Sequence, residues 1–123
     1  MVNEMVRVPV GTLKQFMIDV FTKLSVPLDD ATICSDVLIA SDLRGIESHG
    51  IGRLKMYYDR IRSGILSPVT NMEIVREGLT TAVVDGHNGM GHVIAVRSMQ
   101  IAIDKAREYG MASVAMRNSS HFG

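Results

Sequence analysis

The feature that most constrains this chain is a strand–helix–strand run in its C-terminal half. Thr80 to Val84 reads as a strand closed by the turn-prone pair Asp85-Gly86. Residues 91–109 then carry Ala95, Val96, Met99, Ala102, Ile103 and Ala106 at helical spacing, and Gly110 ends that helix. Ser113 to Met116 reads as a second strand. Strands joined by a crossover helix pair in parallel, with a right-handed connection, so the expected unit is βαβ. His121, within Arg117-Asn118-Ser119-Ser120-His121-Phe122-Gly123, then falls just past the C-terminal end of a strand. Open α/β sheets place ligands there.

The N-terminal half reads as helical. Leu13, Phe16, Met17, Val20, Phe21 and Leu24 recur at helical spacing and predict an amphipathic helix over 11–25, stopped before Pro27. Asp29 or Asp30 is placed to cap a second helix, with Ile33, Cys34, Val37, Leu38 and Ser41 on one face and an end near Arg44-Gly45. A third helix is expected over 51–63, followed by a loop at Ser67-Pro68 and a mixed stretch over 69–78. The expected organisation is a helical region over 1–66 and the opening of an α/β domain over 67–123.

Composition excludes several classes. Thirteen basic and thirteen acidic side chains balance, so neither nucleic acid nor an anionic membrane is favoured as a partner. The single cysteine, Cys34, rules out an intrachain disulfide and suits a reducing, cytoplasmic setting. No apolar run approaches the ~20 residues a membrane span needs. The nine methionines read as core filler. Arg76-Glu77 and Arg107-Glu108 read as solvated surface charge.

Chemistry concentrates in Asp42-Leu43-Arg44-Gly45-Ile46-Glu47-Ser48-His49-Gly50, with Arg53 and Tyr57 beyond it. A helix beginning near His49 would align His49, Arg53 and Tyr57 on one face. An imidazole exchanges protons near neutral pH, and a guanidinium grips a carboxylate through two parallel hydrogen bonds. Together they suit a small hydroxy or oxo acid. The same spacing equally describes a capped helix start carrying an exposed Arg–Tyr stack. His121 has a bland alternative too, as a surface histidine in a polar loop, although Asn118, Ser119 and Ser120 supply groups able to orient a ring or a substrate.

Other motifs fail. Gly89-x-Gly91-x-x-Ile94 lacks the small final residue of a dinucleotide fingerprint, and reads as a glycine turn opening a helix. His87 and His92 are five apart and one cysteine completes no zinc set, so no metal site is expected. No Gly-x-Ser-x-Gly elbow occurs.

At these residues the chain resembles the type-2 malate/L-lactate dehydrogenase family, which includes ureidoglycolate and sulfolactate dehydrogenases. The resemblance runs from Arg7-Val8-Pro9 through the Asp42–Gly50 element with Arg53 and Tyr57, Arg76-Glu77-Gly78, Asp85-Gly86 and Gly89-x-Gly91, to Arg117–Gly123. It implies an NAD- or NADP-dependent oxidoreductase interconverting 2-hydroxy and 2-oxo acids, on a mixed α/β fold that is not a Rossmann fold, and usually a homodimer. Carried over by position, His121 matches the catalytic histidine and His49 a histidine assigned as proton donor in some members. Ser48, Arg53 and Tyr57 match substrate-contacting positions, and Asn118 is grouped with them. The principal cofactor-binding segments of the family lie beyond the resemblance. The expectation is therefore about the N-terminal third of such an enzyme, with a non-catalytic dimerisation module as the alternative.

Overall fold

A computed structural model of the chain describes residues 4–122. The elements run α1 (Val10–Lys23), α2 (Leu28–Leu43), two 3-10 turns (Glu47–His49 and Ile51–Arg53), α3 (Leu54–Arg62), β1 (Glu73–Glu77), β2 (Thr81–Asp85), α4 (Gly91–Tyr109) and β3 (Ser113–Arg117). The expected mixed α/β fold, a helical layer followed by a βαβ unit, is what forms. β2 is central, parallel to β3 and antiparallel to β1. The β2–β3 register, Thr81 against Ser113 through Asp85 against Arg117, ends both strands at the same level. Gly110, with φ of +92°, closes α4 in the left-handed conformation.

β1 was not legible in the sequence. All five of its residues are exposed, so it carries no alternation of buried and exposed positions. Its backbone ladder to β2, interrupted by an irregularity between Ile74 and Arg76, holds it instead. Lys105 of α4 adds a clamp, donating to Glu77 and to the Gly78 carbonyl at 2.9 Å each.

One apolar core joins the expected halves. Met17 and Phe21 of α1, Cys34 and Leu38 of α2, and Tyr57 of α3 pack with Leu66, Met90 and Val93. Leu66, at the expected boundary, is itself buried there. Full burial of such a side chain contributes roughly 1.5–3 kcal/mol. Burial and nearby Asp30 push the Cys34 thiol up to about 12, leaving it uncharged.

Three expectations are corrected. Asp29 and Asp30 do not cap α2: Pro27 precedes it without a side-chain cap, and buried Asp30 instead pairs with Arg97 of α4 at 2.5 Å. The stripe on α4 is split, with Val96, Met99 and Ile103 exposed and Ala95, Ala102 and Ala106 half-buried, while the buried positions are Gly91, His92, Val93, Ile94 and Ser98. The methionines are divided, since Met17 and Met90 are in the core whereas Met5, Met99 and Met111 are exposed.

Gly91 opens α4 directly beneath the segment that follows β3. A methyl at this position would collide with the carbonyl oxygens of Ser120 and His121, which are backbone and have little room to give. Gly91→Ala should therefore lower stability by about 1–3 kcal/mol in urea unfolding. Gly11→Ala, where a methyl meets nothing within 4 Å, should be neutral or stabilising.

Candidate active site

Two segments build the site. The first follows α2, where Gly45, at φ of +74°, reverses the chain and the Ile46 N–H bonds the Ser41 carbonyl at 2.8 Å. Asp42 reaches across this turn, and its Oδ2 accepts from the Ile51 N–H at 2.8 Å. A side chain at Gly50 would overlap the Asp42 carboxylate, so the glycine permits that capping contact. The helix expected from His49 does not form as one piece, because Gly50 is extended (φ −97°, ψ −148°) and separates the two 3-10 turns. His49 thus joins the site by tertiary packing, not by sharing a helical face with Arg53 and Tyr57.

The second segment leaves β3 and is tied back to the end of β2. Buried Asp85 accepts from the His87 N–H at 2.9 Å, from the Asn118 amide at 3.1 and 3.2 Å, and from Arg117 Nε at 3.1 Å. The His87 N–H first, then Asn118 and Arg117, hold its carboxyl below the usual range despite burial. Asn118 sits at φ of +53°, and its carbonyl accepts from the Asn88 N–H at 2.9 Å. Expected as a substrate contact, Asn118 has its amide directed onto Asp85.

The segments meet at two imidazoles. The rings of His49 and His121 stack with centroids 5.5 Å apart and planes 23° from parallel. Ser48 Oγ lies 2.8 Å from His49 Nδ1, and Arg53 Nε donates to the Ser48 carbonyl at 2.6 Å. Tyr57 stands behind His121 with 1% of its surface exposed. Its hydroxyl lies 3.0 Å from His121 Nδ1, 3.3 Å from the His121 carbonyl and 3.4 Å from His92 Nε2. Burial pushes the Tyr57 phenol up to about 12, so it remains protonated. His121 is held below the ordinary histidine value, first by partial burial and then by Arg53, His49 and Arg60.

His49 lines an apolar cleft with Val37, Ala40, Ser41, Arg44 and Ile46. His121 lines a smaller, more polar one of about 220 Å³ with Arg60, Leu66, Asn88, Ser119 and Ser120. Two residues of this neighbourhood escaped sequence reasoning. Arg60 is seven residues beyond Arg53 on α3, a spacing that repeats every two helical turns and was available as a signal. His92 had no signal, since its partner Tyr57 lies 35 positions away.

The glycine turn before α4 is not a phosphate cradle. Its first free N–H groups are taken, Met90 donating to Thr70 Oγ1 at 2.9 Å and Gly91 to Ser120 Oγ at 2.7 Å. Neither of these N–H groups among the described residues is free to receive a phosphate. Among the described residues, no group of three or more His, Cys, Asp or Glu is arranged to hold a metal ion. No described helix is long and apolar enough to cross a membrane.

The smaller cleft thus sets the His121 imidazole in its wall with Arg60, and Arg53 lies near enough to act on the same ring. The chain belongs to the malate/L-lactate dehydrogenase family, whose pattern it matches over residues 8–123. It is 48% identical to malate dehydrogenase of Pyrococcus abyssi over 118 residues, covering 96% of this chain and 33% of that protein. It is 44% identical to L-sulfolactate dehydrogenase of Methanocaldococcus jannaschii over 110 residues, 89% of this chain and 32% of that protein. The solved malate dehydrogenase of Pyrococcus horikoshii superposes with a TM-score of 0.94 at 47% identity, over 96% of this chain and 34% of that one. The chain spans about a third of the length of the relatives it matches.

His92 gives the fold a defined acid sensitivity. Burial, and then His121, lower its pKa from 6.5 to about 4. The unfolded chain therefore binds a proton near pH 6.5 that the folded chain refuses until about pH 4. Stability should fall across that window as pH drops, by ~3 kcal/mol from this group. Urea unfolding at pH 7.5 and pH 4.5 measures the fall, and His92→Phe should remove most of it.

Proposed function

We propose that this chain carries the substrate-handling part of an NAD- or NADP-dependent dehydrogenase that interconverts 2-hydroxy and 2-oxo acids. The stacked pair of His49 and His121, beside Arg53, is the observation that carries the reading. Reduction of a 2-oxo acid needs a hydride at C2 and a proton at the carbonyl oxygen. The nicotinamide supplies the hydride when bound; the described residues account for the proton and for the carboxylate.

In this reading His121 exchanges the proton at the reacting oxygen, giving it during reduction and taking it during oxidation. Partial burial first, and then Arg53, His49 and Arg60, lower its affinity for the proton, which favours donation. Arg53, steadied by the Ser48 carbonyl, holds the substrate carboxylate, and Ser48 and His49 complete the wall. Tyr57 and Asn118 act from behind, Tyr57 on the His121 ring and Asn118 on the loop that presents it.

Titrating ¹⁵N-labelled protein with malate, lactate and sulfolactate tests this directly. The His49 and His121 ring signals should move together, and Arg53→Lys should weaken binding about tenfold, because one point charge replaces a fork. His121→Ala should lower turnover of the dehydrogenase about a hundredfold or more. Silent histidine rings at high acid concentration, or near-native turnover in His121→Ala, overturn the reading.

The outward strip of Val96, Met99 and Ile103 favours a second role, contact with another protein surface such as a homodimer partner. Sedimentation should then show self-association of the chain that Met99→Glu abolishes; a monomer at all concentrations rejects it.

A further inference from the structure

His92 takes no part in the chemistry above, yet it is a polar side chain 2% exposed, in the first turn of α4. Its Nδ1 is buried without any hydrogen-bond partner, and its Nε2 faces only the Tyr57 hydroxyl. The two rings meet edge to face, with centroids 5.2 Å apart and planes at 64°. An unpartnered N–H in a core is rarer than an unpartnered acceptor. The proton of neutral His92 therefore belongs on Nε2, the nitrogen that has an acceptor.

That assignment propagates. The Tyr57 oxygen has three polar neighbours and one hydrogen. With His92 Nε2–H donating to it, the hydroxyl hydrogen must point toward His121, where a ring nitrogen and a carbonyl oxygen compete. Donation to the carbonyl oxygen leaves a lone pair for Nδ1–H of His121, and all three contacts are then made at once. Donation to Nδ1 leaves the carbonyl contact empty. Donation to His92 leaves it empty as well and buries an unpaired N–H.

We infer that Tyr57 is a positioning residue whose hydroxyl, donating to the His121 carbonyl and accepting from His92 Nε2–H, holds neutral His121 in its Nδ1–H tautomer with Nε2 bare. Such wiring keeps the same proton on Nδ1 in both charge states of His121. Nε2 alone then gains and loses the exchanging proton, and no ring flip or tautomer change intervenes. The catalytic consequence rests on the proton-transfer role proposed for His121; the wiring itself does not.

Long-range ¹H–¹⁵N spectra of the chain at pH 8 read the ring nitrogens directly. His121 should show a protonated Nδ1 and a bare Nε2, and His92 the reverse. A neutral His121 protonated on Nε2, or a His92 protonated on Nδ1, overturns the inference. Tyr57→Phe keeps the ring but removes the oxygen that accepts from Nδ1–H, so His121 should become a mixture of tautomers. An unchanged His121 in Tyr57→Phe removes the role of Tyr57. If that variant does not fold, the wild-type spectra decide alone. In the dehydrogenase, Tyr57→Phe should lower kcat for hydroxy-acid oxidation about tenfold with KM unchanged. Correct spectra with unaltered kcat would leave the wiring intact and refute the proton-transfer role of His121 instead.

Discussion

Tyr57 is the point through which the two halves of this chain are joined. Its ring is part of the helical core, tilted against Phe21 at 6.4 Å, while its hydroxyl emerges against His92 of α4 and against His121 beyond β3. An aromatic body that packs in oil and a hydroxyl that must be bonded suit this position, and few other side chains offer both. Removing the hydroxyl would leave two imidazoles facing an apolar ring. Removing the ring would open the core between α1 and α3. Position of the site and integrity of the fold are thus coupled through one residue.

Around it the structure arranges close approach in place of reach. Gly91 lets the backbone of Ser120 and His121 lie on the start of α4, and Ser120 satisfies the N–H exposed there. Asp85 gathers the ends of β2 and β3 with three separate donor groups, so the loop carrying His121 leaves the sheet in one direction. Asp42 does the same for the other loop through Ile51. Each anchor is a buried or half-buried carboxylate with N–H partners, a geometry that resists drift more than an apolar contact would. The imidazoles can therefore be brought within stacking distance from segments far apart in the chain.

Electrostatics then tunes what packing has assembled. His121 lies near Arg53 and Arg60 and stacks on a second imidazole, all of which disfavour its charged form. His92 is driven further in the same direction by burial, with His121 adding to it. The result is a gradient, from a buried histidine that stays neutral to a partly exposed one able to titrate.

The sequence by itself determined the helices, the βαβ unit and the level at which His121 leaves the sheet. These follow from local rules, periodicity of 3.6 or 2 and closing glycines. Tertiary structure alone decided the rest. β1 had no burial pattern to betray it, because a strand exposed on both faces is held by backbone hydrogen bonds, which carry no side-chain signature. Asp30 looked like a cap and became the partner of Arg97, because the fold lays α4 within reach of its buried carboxylate. His49, expected to join Arg53 and Tyr57 on one helical face, is parted from them by Gly50 and reaches His121 through space. His92 was invisible for the same reason. Hydrogen bonds and ring stacking depend on distances of a few ångströms between residues dozens of positions apart, and only the folded chain sets those distances.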